Sequence, residues 1–250
     1  MELAGKKIPV LLYHRIIQKS DIKGRHKIYV YEDKFRKQME FLKRAGYSAI
    51  TFEDIHYNRV PQSDNPKVII TFDDGYEDNY KIAFPILKEL GFKAVIFLVT
   101  AMQRNEWGIV EGEPAIPMMN REMIREMMDY GIEFGGHTRN HKDLTKLDSK
   151  EALDEIAGCK SDLELNYGKT VVSFSYPFGA INSALKQMVM ESGYVFGIST
   201  NTGSDNLFDD LLQIKRREVN PGTTLGSFRK KAGDVSSDKQ RNLFNFFKKS

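Results

Sequence analysis

The run Lys67-Val68-Ile69-Ile70-Thr71-Phe72 constrains the fold of this chain more than any other segment. It is nearly continuous in apolar, β-branched side chains, as in a parallel strand covered on both faces. It closes in Asp73-Asp74-Gly75-Tyr76, so a buried strand delivers two adjacent carboxylates to its carboxyl end. Neighbouring residues at a strand end point in different directions. One aspartate of such a pair can bind a cation while the other handles a proton. An Asp-Gly turn by itself is ordinary strand-terminating chemistry, so the pair takes its meaning from what else reaches it.

Around this run the chain alternates short apolar segments with segments of helical spacing. Ile8 to Tyr13 reads as a buried strand ending at His14, and residues 18 to 30, which include His26, read as a polar loop. From Glu32, apolar Phe35, Met39 and Leu42 recur at helical spacing until Gly46, and Ser48 to Phe52 reads as a strand. A helix is predicted through Ile82, Ile86, Leu87 and Leu90 up to Gly91, then a strand from Ala94 to Val99. Further on, helices are predicted over Arg121 to Tyr130, Ser149 to Leu165, Ile181 to Glu191 and Thr223 to Lys231. Strands are predicted over Ile132 to Phe134, Val171 to Tyr176, Tyr194 to Ser199 and Leu212 to Val219. This alternation implies an α/β fold with helices outside a mainly parallel sheet. The strand count implies a distorted or partly open (β/α) barrel of about seven to eight strands. A chain of 250 residues, 41% hydrophobic, can bury one large core, so a single domain over residues 1–250 is expected, its core running from about 8 to 230.

Several function classes lose support at this stage. The 37 basic and 34 acidic residues leave a net charge of +3, which gives no electrostatic case for nucleic-acid binding. Cys159 is the only cysteine, so neither an internal disulfide framework nor a cysteine-rich zinc module is available. No apolar run is long enough for an ordinary transmembrane helix, and Met1 to Lys7 lacks the apolar stretch of a secretory signal. No Gly-x-Gly-x-x-Gly segment follows a strand, which weakens a dinucleotide reading.

About sixty residues after the carboxylates comes His137-Thr138-Arg139-Asn140-His141, directly behind Gly135-Gly136 at a predicted strand end. Two imidazoles four residues apart share one face if the segment makes a helical turn. With a carboxylate, for which Asp74 is the choice, they would make a two-histidine, one-carboxylate site with positions open to water or substrate. Zinc suits these ligands; iron(II), cobalt and nickel suit them too. An isolated His-x-x-x-His is more often ordinary decoration, and the strand-end position is what gives this one weight. Phe174-Ser175-Tyr176-Pro177-Phe178-Gly179 ends another strand in a fixed turn whose backbone N–H groups can stabilise an oxyanion. His14, at the end of the first strand, can serve as a general acid. Trp107 sits in the long connection between Ala101 and Pro114, where it can stack on a sugar or cover the barrel edge. The tail from Leu243 to Lys249 mixes aromatics with lysines and can dock on the domain or touch a membrane surface.

In order and spacing, Thr71 to Tyr76, His137 to His141 and Tyr176-Pro177-Phe178-Gly179 resemble the leading motifs of the polysaccharide deacetylases, the NodB-homology domain of carbohydrate esterase family 4. Tyr13-His14 near the amino end resembles the circularly permuted branch that deacetylates poly-β-1,6-N-acetylglucosamine of biofilm matrix. In that branch the first strand supplies the catalytic histidine, and here no histidine follows His141.

The resemblance implies Asp73 as general base, His14 as general acid, and Asp74, His137 and His141 as ligands of one divalent metal, zinc first and cobalt, nickel or iron(II) otherwise. It implies the Phe178 backbone N–H at the oxyanion, with Tyr176 and Trp107 on the substrate side. Many members orient the base with an arginine in the third motif, where this chain has none. Arg216 resembles the arginine that takes this role in the matrix-polysaccharide branch, and Arg217 is the alternative. The expected substrate is an acetylated glucosamine polysaccharide or oligosaccharide, with the β-1,6-linked matrix polymer ahead of peptidoglycan and chitin oligomers. A cyclic-amide hydrolase of small molecules and an inactive glycan-binding relative are the rivals. Work at the cell envelope or outside the cell, as a monomer with possible peripheral attachment to membrane or wall, is the corresponding expectation.

Overall fold

The structure, a computed structural model, describes residues 7–21, 23–200 and 207–233. Strand β1 (Val10–Tyr13) is followed by β2 (Arg15–Ile17), β3 (Tyr29–Tyr31), helix α1 (Glu32–Arg44), β4 (Ser48–Ala49) and α2 (Phe52–His56). Next come β5 (Lys67–Phe72), a π-helical turn Asn79–Ala83, α3 (Phe84–Leu90), β6 (Val95–Leu98), α4 (Glu106–Val110) and α5 (Arg121–Tyr130). The rest of the chain forms β7 (Glu133–Gly136), α6 (Ser149–Tyr167), β8 (Ser173–Ser175), α7 (Ser183–Glu191), β9 (Phe196–Ile198), β10 (Arg217–Glu218) and α8 (Leu225–Lys231).

Seven strands make a partly open parallel barrel in the order β10-β1-β5-β6-β7-β8-β9, with β4 pairing the start of β5. The ends of the sheet approach through one segment: Ile214 bridges to Ile198 of β9, and Arg217 and Glu218 pair with β1. The predicted strand Leu212 to Val219 is therefore divided between two partners. Ser48 to Phe52 departs from the prediction as well. Its strand stops after two residues because Thr51 and Asp54 form a reciprocal capping box that starts α2. The predicted loop over 18 to 30 gains β3, which pairs with β2 in a separate two-stranded sheet. Helix α5 keeps its predicted bounds, set by the Asn120 cap and the left-handed Gly131.

Strand alternation divides the core. Leu11, Tyr13, Val68, Ile70, Phe72, Ile96, Leu98, Phe134 and Phe174 face the outer helices. Val10, Ile69, Val95, Phe97, Phe196 and Ile198 fill the interior, plugged by Phe52 of α2. The same parity continues from Ile69 through Thr71 to Asp73, so the first aspartate enters the barrel interior. Room for it comes from small residues on β7 and β8. At Gly135 a Cβ would lie 2.6 Å from both the Phe97 ring and Ser173 Oγ. The C-terminal aromatic tail lies outside the described residues, and no helix among the described residues is long and apolar enough to cross a membrane.

Candidate active site

A cavity of about 240 Å³ is lined by His14, Asp73, Asp74, Trp107, His137, His141 and Phe178, which follow different strands. Its position at the carboxyl ends of the strands is where barrel sites form. Asp73 is 1% exposed and Arg216 is fully buried beside it. The guanidinium donates from Nη1 to Oδ1 at 2.7 Å and from Nη2 to Oδ2 at 2.6 Å, a bidentate pair. Its remaining donors reach Ser199 O at 3.0 Å, Thr71 Oγ1 at 3.1 Å and Ser175 Oγ at 3.0 Å. Arg217 instead donates to the carbonyls of Lys230 and Lys231 at the end of α8. Of the two candidate arginines, Arg216 is the one that holds Asp73. Burial pushes the Asp73 carboxyl up, but the charges of Arg216 and His137 outweigh it and leave it below its usual range.

Asp74 leaves the strand through a left-handed backbone, φ 75°, and turns its carboxylate to the histidines. Its Oδ1 lies 3.4 Å from His137 Nε2 and 3.3 Å from His141 Nε2. His137 Nδ1 is 2.7 Å from the Ser175 carbonyl, which can only accept, so Nδ1 carries the proton and Nε2 offers its lone pair. Asp74 Oδ1 is buried and has no hydrogen-bond partner. Donor atoms about 2.0–2.1 Å from a tetrahedral ion are about 3.4 Å from one another. The three residues therefore fit a divalent cation by donor type, spacing and an orphaned oxygen. Burial pushes the Asp74 carboxyl up, yet the facing imidazoles hold it well below the carboxylate range. Among the described residues, this is the one cluster with such a donor set.

His14 follows β1, and its backbone is gripped by the segment that carries the carboxylates. Asn79 Nδ2 donates to His14 O at 2.7 Å. Asp78 accepts from Ile16 N at 3.1 Å and Arg15 Nε at 2.8 Å. Phe178 has φ 60° and its ring centroid lies 4.8 Å from that of His141. Trp107, on α4, stacks on His141 with ring centroids 4.3 Å apart, so one face of its indole is occupied by protein. Tyr176 is absent from the cavity wall. Ser175 faces inward, so its neighbour turns outward into the core, where its hydroxyl donates to Leu212 O at 3.1 Å. His26, read from the sequence as a loop residue, does line the cavity, 3.1 Å from Glu111 Oε2. A contact across 85 residues leaves no local signal in the sequence.

The profile of the polysaccharide deacetylase family matches residues 60–197, more than half of the chain. The chain belongs to the polysaccharide deacetylases. The family match spans β5 to β9 and thereby includes both aspartates and both histidines. YxkH of Bacillus subtilis is 28% identical over 225 residues, 89% of this chain and 75% of that protein. The poly-β-1,6-N-acetyl-D-glucosamine N-deacetylase of Staphylococcus aureus MRSA252 is 25% identical over 180 residues, 68% of this chain, and the chain spans only 60% of its length. Among solved structures, the Streptococcus pyogenes deacetylase PplD in complex with acetate superposes with a TM-score of 0.77 at 26% identity. That match covers 90% of this chain and 98% of PplD.

Proposed function

We propose that this polysaccharide deacetylase is a metal-dependent N-deacetylase of β-linked N-acetylglucosamine polymers, with the β-1,6-linked polymer as its first substrate. The observation that carries the reading is the contrast between two adjacent buried carboxylates at one cavity, Asp73 paired to Arg216 and Asp74 facing two imidazoles. The staphylococcal relatives support the choice of glycan.

Asp74, His137 and His141 would hold the ion, for which the nitrogen-rich donor set favours zinc. A bound divalent ion supplies Lewis-acid polarisation and lowers the pKa of water. Asp73 takes the proton of the attacking water, and Arg216 fixes the carboxylate that receives it. The Phe178 backbone N–H donates to the carbonyl oxygen as negative charge grows there. His14 gives a proton to the amine as the C–N bond breaks, releasing acetate and a glucosamine unit. Trp107 bounds the cavity above His141. One domain carries the whole reaction, and such polymers place the work at the cell envelope or outside the cell.

Acetate release from β-1,6-linked N-acetylglucosamine oligomers tests this, before and after a chelator and with zinc, cobalt, nickel or iron(II) returned. Release that disappears with the chelator and returns with metal is expected. Release unaffected by metal removal would overturn the metal role. Release from peptidoglycan or chitin oligomers alone would overturn the choice of glycan.

A further inference from the structure

The turn that carries both histidines is backbone in an uncommon conformation. Thr138 and His141 have φ of 66° and 52°, the left-handed region, where the β-branched Thr138 is a genuine outlier. Something must hold this turn in place. Thr138 Oγ1 accepts from His141 N at 2.8 Å, which braces the two ends against each other. The two amides between them, of Arg139 and Asn140, point towards α6. There a single carboxylate oxygen, Glu155 Oε2, accepts from Arg139 N at 2.9 Å and from Asn140 N at 2.8 Å. The second oxygen, Oε1, accepts from Asn140 Nδ2 at 2.8 Å, and Lys142 Nζ stands 3.8 Å from it. Glu155 is 3% exposed and does not line the cavity.

We propose that Glu155 is a positioning residue for the ion site, setting the affinity of the chain for its divalent cation without touching it. The proposal rests on the reading of Asp74, His137 and His141 as ligands. Successive backbone N–H groups converging on one anion make a nest, and a buried carboxylate that fills it fixes the φ angles on either side. The ligands flank this nest, one residue before Thr138 and one after Asn140. With the nest filled, His137 and His141 point at Asp74 before any ion arrives. With it empty, the turn relaxes and binding must reorder it. Partners behind metal ligands typically change affinity 10–100-fold, which is the scale expected here.

The test is zinc affinity of chelator-treated full-length protein, by competition with a chromophoric chelator, alongside thermal unfolding of the ion-free protein. Glu155→Gln keeps an acceptor oxygen and loses the charge; it should bind zinc about 10-fold more weakly. Glu155→Ala should bind about 100-fold more weakly. Wild-type affinity in the folded Glu155→Gln protein, even with a lowered Tm, would overturn the positioning role and leave Glu155 as a helix anchor. Asp74→Ala separates the two readings. If it binds zinc as tightly as wild type, the ligand assignment itself fails; if it loses zinc while both Glu155 variants keep it, only the positioning role fails.

Discussion

Asp73 and Asp74 are adjacent, chemically identical and both buried, yet they sit in opposite electrostatic situations. Asp73 has its countercharge built into the chain: Arg216 meets both of its oxygens, and the guanidinium's remaining donors are used on Ser199, Thr71 and Ser175. Asp74 turns its Oδ1, which has no hydrogen-bond partner, to two imidazole nitrogens 3.3 and 3.4 Å away. A buried carboxylate without a cation is costly. Whether the fold itself supplies the positive charge thus separates two carboxylates of one residue type, suiting the first to the proposed proton transfer and the second to the proposed ion site. Strand parity makes that choice, sending the first aspartate inside the barrel and the second, through its left-handed backbone, towards the histidines.

The largest effect that could break this contrast is on turnover. His137→Ala or Asp74→Ala should lose bound metal and acetate release together, by more than the roughly 10²–10³-fold that loss of one preorganised donor costs. Metal content per chain and initial rates measure both. Asp73→Asn should keep its metal and lose about 10²–10⁴-fold in rate, the usual contribution of a general base. Wild-type activity in that variant would sink the base assignment.

Stability sharpens the comparison further. Arg216→Met strands a buried carboxylate, and breaking such a pair from one side costs about 3–5 kcal/mol, readable in urea unfolding. Glu133, on β7, is another buried carboxylate, met by Ser173 Oγ at 2.6 Å, Glu53 N at 2.8 Å and the Thr51 side chain. Burial raises its pKa from 4.5 to about 7 despite these donors. Its folded form holds a proton that the unfolded chain has released. The stability it contributes is full below pH 4.5 and is lost as pH rises through about 7, a fall of roughly 3 kcal/mol. Asp73, held low by Arg216, runs the other way, contributing stability at neutral pH that is lost as acid protonates it. Glu133→Gln should remove the fall between these pH values and leave the acid-side loss intact. The smallest change is expected from Arg217→Ala, within about 0.5 kcal/mol and with activity unchanged, since its guanidinium reaches the end of α8 and does not line the cavity.

Long, one-sided signals were legible in the sequence. The β-branched run became β5 with its bounds intact, and the carboxylates and histidines could be paired because each pair is local. What sequence could not decide was parity at a distance. Arg216 and Arg217 differ by one position, and only the register of a two-residue strand turns the first inward. The same ambiguity places Ser175 against Asp73 and sends Tyr176 into the core. Glu155 and Asn79 act through hydrogen bonds to backbone, which any sequence stretch possesses, so no pattern singles them out. At Thr51 a local capping box outweighed an apolar run that reads as strand.

Trp107, the only tryptophan in the chain, lies face to face with His141 at 4.3 Å. Its fluorescence therefore comes from a single, known place, in contact with one edge of the proposed ion site. Cobalt or nickel entering there should quench the emission, and diamagnetic zinc should displace them and restore it. Such a response would make Trp107 an optical gauge of loading at the proposed site, readable without substrate, label or turnover.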